Sequence, residues 1–375
     1  MYKIEFTDID ARIDNYLASG KFMEEVGKRM EAYQSCEEWT YKYYGSDTIT
    51  LKVQKNSVTY RFLGKYSKQP FLRKLLAGDI DAQMEIIKDV YEGIPDDANP
   101  AIAFKEAFVP IRYRIGAMKA ACADFDNKNH DDFNSIIRHI FERTIYDGKK
   151  WPYVDKNEFV KRLGLRVCPY CGRNYIYGLS PERDGKNVKV KPQIDHLLPK
   201  SIYPFLSANF YNLIPSCTQC NMEPAKGDQD TLTKQNGGEL IIQHPYKFDD
   251  SKITFKYDPK AEESLNPDAI EILVDYHGNT IWENGYHNLF FLDDFYKQHN
   301  LEAHDIYVKL KSWYYDGAKR AYEALGIPMD YWNTLPWLLF GYHFTKEEST
   351  KRILYKFTHD IYNQMLDDFK TGNIR

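Results

Sequence analysis

At 375 residues the chain is long enough for two or three domains, and 43% hydrophobic with 28% charged residues is the composition of a globular protein. A formal net charge of −4 excludes a protein that coats nucleic acid through its overall field, so any such contact must come from a local basic patch. No apolar run approaches the roughly 18 residues of a membrane helix, and the opening Met1-Tyr-Lys-Ile-Glu-Phe-Thr-Asp carries no apolar export segment. Four of the six cysteines fall in two Cys-x-x-Cys pairs at metal-ligand spacing. Together these features predict a soluble, cytoplasmic protein without membrane contact. Cys36 and Cys122 have no partner pattern and read as buried apolar fillers.

Residues 1–160 read as a mostly helical region. Apolar positions recur at helical spacing in Ile9-Ile13-Leu17 and Phe22-Val26-Met30. A hairpin is predicted from the β-rich runs Thr48 to Val53 and Val58 to Leu63, and helical patterns follow over 70–93, 101–123 and 131–146. Basic residues at Arg112, Arg114, Arg138, Arg143, Lys149 and Lys150 read as solvated helix faces. Asp155 with Glu158 forms a capping-box pattern for a helix ending at Gly164.

Residues 161–248 form the next segment. Strands are predicted over Arg173 to Gly178, Val188 to Asp195 and Tyr211 to Pro215, and a helix near Cys220. The third segment, 249–375, alternates short strands at 252–257 and 270–275 with helices over 289–299, 302–325 and 346–369, after a strand at 239–243. The last helix has Thr345 and Glu348 at capping-box positions.

The chemistry concentrates in residues 168–226. Cys168-Pro-Tyr-Cys171 and Cys217-Thr-Gln-Cys220 can complete a four-thiolate zinc shell, which turns everything between them into a loop with fixed ends. Inside that loop lie Asp195-His196 and Asn212, and Asn221 follows the last cysteine. Hydrolysis of a phosphodiester needs a base for water, a cation beside the phosphate, and donors to the departing oxygen. His196 suits the base, Asp195 and Asn221 offer the hard oxygens that Mg²⁺ or Mn²⁺ accepts, and Asn212 can hold one imidazole nitrogen. Lys200, Arg173 and Lys226 are candidate phosphate partners.

This order of residues resembles the HNH family of ββα-metal nucleases, over about 60 of the 375 residues. The resemblance implies an α+β protein, mainly helical, with an embedded zinc-stabilised ββα-metal (HNH) nuclease core. It gives His196 the base role, Asp195 and Asn221 the catalytic metal, Asn212 a supporting catalytic role, and the four cysteines a structural zinc. Lys226 follows Asn221 by five residues, past Pro224, whereas the family's lysine commonly follows by three or four. Cys-Pro-Tyr-Cys-Gly, His244-Pro-Tyr246 and Tyr296-x-x-His299 add a similarity to HNH nucleases of bacterial anti-phage systems of the Septu and retron type. That similarity implies a defence effector that cuts nucleic acid, DNA rather than RNA, beside an ATPase or sensor protein of the same system. The alternative reading is a non-catalytic zinc protein that binds nucleic acid or a partner.

Overall fold

The computed structural model describes residues 1–35, 39–42, 48–51, 57–92, 133–146, 156–179, 181–187, 192–233, 238–258, 270–315, 317–327 and 334–374, with single residues 53, 55, 267 and 330. The chain is α+β: helices dominate, and the described strands form four two-stranded antiparallel pairs. Buried apolar side chains from Met1 to Ile374 make one continuous core, so the three segments drawn from the sequence share an interior.

The N-terminal helices Ile9–Ala18 and Phe22–Ser35 bury Ile13, Tyr16, Leu17, Phe22, Val26 and Met30, the face that the helical spacing picks out. Between them Gly20 takes a positive φ of 58°, which breaks the helix. Tyr16 carries this layer to the central segment: its hydroxyl donates to Ala208 O at 2.8 Å, and its ring packs edge-on against Phe210 and Phe159.

The predicted hairpin is corrected. Thr48–Leu51 pairs with Trp39–Lys42, not with Val58 to Leu63. Val58–Tyr66 is a helix, because the Ser57 side chain accepts from Tyr60 N and so caps its first turn. Val58, Phe62, Leu63 and Tyr66 then line one buried helical face that the β-branched start had disguised. Helices Phe71–Ala77 and Ile80–Glu92 follow as the pattern predicts. The helix predicted over 101–123, the residues Arg112, Arg114, Lys149 and Lys150, and both Cys36 and Cys122 lie outside the described residues. So does Asp155 of the capping box, although the helix it would open, Lys156–Leu163, is present.

In the third segment Thr254–Asp258 pairs with Glu271–Asp275. The helix Tyr355–Thr371 packs on this pair, where Asp360 and Gln364 accept from the backbone N–H groups of Phe255 and Tyr257. The single helix predicted over 302–325 is divided: Asn300–Tyr314 ends before Gly317, whose φ of 91° admits no helix. The helix predicted over 346–369 is likewise Lys346–Ser349 and Tyr355–Thr371, separated by Leu354 in a left-handed conformation. Thr345 makes no side-chain cap there, and Glu348 pairs with Arg352 instead of completing a capping box. No helix among the described residues is long and apolar enough to cross a membrane.

Candidate functional site

The four cysteines converge. Sγ atoms of Cys168, Cys171, Cys217 and Cys220 all lie within 4.8 Å of one another, and Cys171 Sγ is 3.9 Å from Cys217 Sγ. A tetrahedral ion with bonds of about 2.3 Å to sulfur separates its ligands by about 3.8 Å, so the cluster has the dimensions of such a shell. All four thiols are buried and free of disulfides, which leaves them available as thiolates. The first knuckle folds through Gly172 N donating to Cys168 O, with Gly172 at a φ of 69°. A Cβ there would also meet Met1 N at 2.1 Å, so glycine is required twice over. The second knuckle opens the four-residue helix Thr218–Asn221. Arg173 N and the Asn174 side-chain amide donate toward Cys171 and Cys217 sulfur at 3.4 and 3.5 Å. Hydrogen bonds from Cys168 hold the Cys171 thiol well below its ordinary range and lower Cys217. Burial pushes Cys168 up, and Cys168 in turn pushes up Cys220. A dication would resolve this conflict by ionising all four.

Between the knuckles, Gln193–His196 pairs antiparallel with Leu213–Ser216, setting His196 opposite Leu213 and Gln193 opposite Ser216. Pro215 is tolerated because a two-stranded pair leaves one edge without ladder partners. Of the strand predicted over Val188 to Asp195, residues 188–191 lie outside the described residues and the described strand is Gln193–His196; among the described residues Arg173 to Gly178 forms an isolated bridge through Tyr175 to Val167. The helix predicted near Cys220 is Thr218–Asn221 and goes no further, since the residue before Pro224 is barred from continuing it.

His196 ends its strand, 6% exposed, with Nε2 at 2.9 Å from Ser207 O. A carbonyl only accepts, so Nε2 carries the proton and the neutral ring keeps its lone pair on Nδ1. Burial first, then the charge of Lys200, holds the imidazole well below its ordinary pKa, so the ring is neutral. Tyr146 packs edge-on against it at 4.6 Å, and the ammonium groups of Lys156 and Lys200 lie 4.2 and 5.2 Å from the Tyr146 ring centre. Two cations therefore stand over the ring beside the candidate base. Lys200 was legible in the sequence; Tyr146 and Lys156 were not.

Asn212 does not hold the imidazole. Its oxygen accepts from Leu198 N at 2.7 Å, and its amide donates to Leu198 O and Leu206 O at 3.0 and 3.1 Å. It fixes the loop that carries Ser207, and so orients His196 at one remove. Asn209 anchors the same loop in the helical region, and sequence reading missed it. Its amide donates to Leu75 O and Gly78 O, while its oxygen accepts from Gln83 and from the backbone N–H groups of Tyr211 and Asn212.

Asp195 is placed differently from the expectation of a metal ligand. Oδ2 accepts from Tyr170 at 2.6 Å, and Oδ1 lies 3.0 Å from the Lys226 ammonium. Lys226 also donates to His196 O at 2.7 Å and is wholly buried, so it stabilises the strand instead of meeting a phosphate. Asn221 turns its amide to Gln193 Oε1 at 3.2 Å, at the strand end opposite His196 and about 10 Å from it along the backbone. The residues present thus do not assemble a hard-oxygen site for Mg²⁺ or Mn²⁺: a lysine ammonium already occupies the cation position at Asp195. Arg173 stands 3.8 Å from the Phe295 ring centre, and after the hydrogen bonds of the other thiols its charge also lowers the Cys171 thiol, which places it with the thiol cluster.

The flanking motifs are structural supports. Tyr296 donates to Cys171 O at 2.6 Å, and His244 accepts from Tyr246 N at 3.2 Å to cap the turn Pro245–Lys247. His299 stands at the start of the helix Asn300–Tyr314. Comparison of the chain with protein-family models, with curated proteins and with solved structures finds no match.

Proposed function

We propose that the chain hydrolyses phosphodiester bonds in nucleic acid, DNA in preference to RNA, through an HNH-type core steadied by zinc at the four cysteines. What supports this reading is one arrangement: a neutral His196, its lone pair on Nδ1, at the end of a strand pair whose far end is tied to the cysteine cluster. Such a ring can accept a proton from water. Lys156 and Lys200 on Tyr146 supply positive charge where an anionic substrate would approach. Four thiolates in a tetrahedral shell favour zinc over harder cations, and zinc held there would clamp the ends of the loop. Because Lys226 holds Asp195, no step is assigned to a divalent cation.

The Asp195–Lys226 pair and the burial of His196 favour a second reading, a non-catalytic zinc protein that binds nucleic acid or a partner. Plasmid and tRNA cleavage separate the two, run with Mg²⁺, Mn²⁺ and EDTA beside His196→Ala. The nuclease reading expects wild-type cutting that the variant loses while keeping its zinc and fold. Equal cutting by both proteins, or none by either in any condition, goes against it. The anti-phage role, with an ATPase or sensor as partner, enters this proposal by resemblance alone; co-expression with neighbouring genes in a phage-plating assay tests it.

A further inference from the structure

The exposed side of the first knuckle carries a groove that the cleavage reading leaves unused. It encloses about 780 Å³. Its floor is the extended segment after Cys171, where Tyr175, Tyr177 and Leu179 face out, each about half exposed, and Ile176 between them is buried. The two tyrosine rings lie 5.5 Å apart at 44°, so each offers a face to a ligand instead of closing on the other. Such alternation places three large apolar groups in water on one face of the extended segment, an arrangement that costs solvation unless something covers it.

The rim is basic. Arg166, Lys351 and Arg352 line it beside the carboxylate of Glu348, which Arg352 already pairs. Arg352 is held further by the Tyr342 ring, 4.3 Å from its guanidinium. The lining segments are tied together by Ile176 N donating to Arg166 O and Arg166 N to Thr350 O, both at 3.0 Å, and by Leu354 N donating to Gly172 O at 2.7 Å. At Gly178 the floor passes so close to Asn157 and Pro192 that a Cβ would meet both within 2.7 Å. The groove is therefore preformed. It is also a local concentration of positive charge on a chain whose net charge is −4.

We infer that this groove binds single-stranded nucleic acid, with bases stacked on Tyr175 and Tyr177 and phosphates against Arg166 and Lys351. Aromatic faces on an open floor beside a group of cations are what an unpaired strand requires, because each base has a π-face and each nucleotide a charge. A duplex hides its base faces, and the Asp and Glu side chains of an acidic peptide have no rings to stack. The inference rests on the nuclease reading for its choice of nucleic acid, and it puts the grip on the metal knuckle, apart from His196.

The experiment is fluorescence anisotropy of the full chain with a short labelled strand, the same sequence as a blunt duplex, and polyglutamate as competitor. The single strand should bind more tightly than the duplex and resist polyglutamate. Tyr175→Ala and Tyr177→Ala should each weaken strand binding roughly 5- to 150-fold, the equivalent of losing one stacked base. Tyr175→Phe should keep the affinity, and Lys351→Gln should lower the salt dependence by about one phosphate contact. Because both tyrosines lie at the surface, circular dichroism of the variants should match wild type. Equal binding of strand and duplex, displacement by polyglutamate, or tyrosine variants that bind like wild type would each overturn the groove. Strand binding through the tyrosines without any cleavage would overturn the catalytic reading alone.

Discussion

The ammonium of Lys226 lies 3.0 Å from Oδ1 of Asp195, and the two side chains are 0% and 4% exposed. A buried pair of this kind gains Coulomb energy in a weakly screening interior and loses hydration at both ends. Here the loss is offset by Tyr170, which donates to the other carboxylate oxygen, and by His196 O, which takes a second hydrogen of the ammonium. The pair thus joins the strand of the candidate base to the segment after the second knuckle.

Removing one partner should be far worse than removing both. Lys226→Met leaves a buried carboxylate without its cation and should cost about 3–5 kcal/mol. Combining it with Asp195→Asn should recover a large part of that loss. Urea midpoints of the two single variants and the double give the coupling. A Lys226→Met protein within about 1 kcal/mol of wild type, the worth of an exposed pair, would mean that the pair is open to water.

The thiol cluster makes a second prediction. Purified protein should carry one zinc per chain, measured by elemental analysis, and strong chelators should strip it and lower the melting temperature. Cys217→Ser should abolish stoichiometric zinc, since three thiolates leave the tetrahedral shell incomplete. Metal-free and metal-loaded protein melting at one temperature would sink the idea that the ion holds the loop ends.

The knuckles were readable because ligand spacing is a local property of the chain: Cys168 to Cys171 and Cys217 to Cys220 need only short turns to point at one centre. The partners of the site were not readable, because they arrive from far away. Gln83 reaches Asn209 across 126 positions, and Tyr170 reaches Asp195 across 25. Val58 to Leu63 misled for a different reason: β-branched residues raise strand propensity, yet Ser57 and the buried face decide for helix. Lys226 illustrates the limit of residue type as a guide, since a lysine that the sequence offers as a phosphate partner is buried against a carboxylate.

Acid should destabilise the fold through its buried histidines. Burial pushes His244 down to about 3, and Lys247 adds to the effect. His196 is also held well below its ordinary value, first by burial. In the unfolded chain both titrate near 6.5, so below that pH the unfolded state binds more protons. Stability contributed by the neutral rings is fully present above about 6.5 and falls by about 1.4 kcal/mol per pH unit for each histidine below it. For His244 the loss continues to a pH of about 3. His244→Asn retains an acceptor for Tyr246 N and should flatten the dependence measured by urea denaturation across this window. An unchanged slope in the variant would exclude His244 as a contributor.

Asn209 should prove more important to stability than its ordinary residue type implies. Five hydrogen bonds meet on one wholly buried amide: two given to the backbone at Leu75 and Gly78, three received from Gln83, Tyr211 and Asn212. Asn209→Ala removes all five bonds; Asn212 N keeps Asn209 O, and Gln83 keeps Gly78 O, so Leu75 O and Tyr211 N lose most, at about 1–3 kcal/mol for each unsatisfied group before relaxation. Allowing for non-additivity, a loss of about 3 kcal/mol or more is the expected urea result. Asn209→Asp keeps the three received bonds but turns a donor into an acceptor facing Leu75 O and Gly78 O, so it should be no milder. The same substitution should also loosen the loop through Ser207, whose carbonyl orients His196. Hydrogen exchange is the finer measurement: protection of Leu198 N, which bonds to Asn212 Oδ1 in that loop, should fall in Asn209→Ala more than protection of Cys220 N in the distant knuckle. A uniform loss at both amides would reduce Asn209 to a general contributor to stability and remove its role in placing His196.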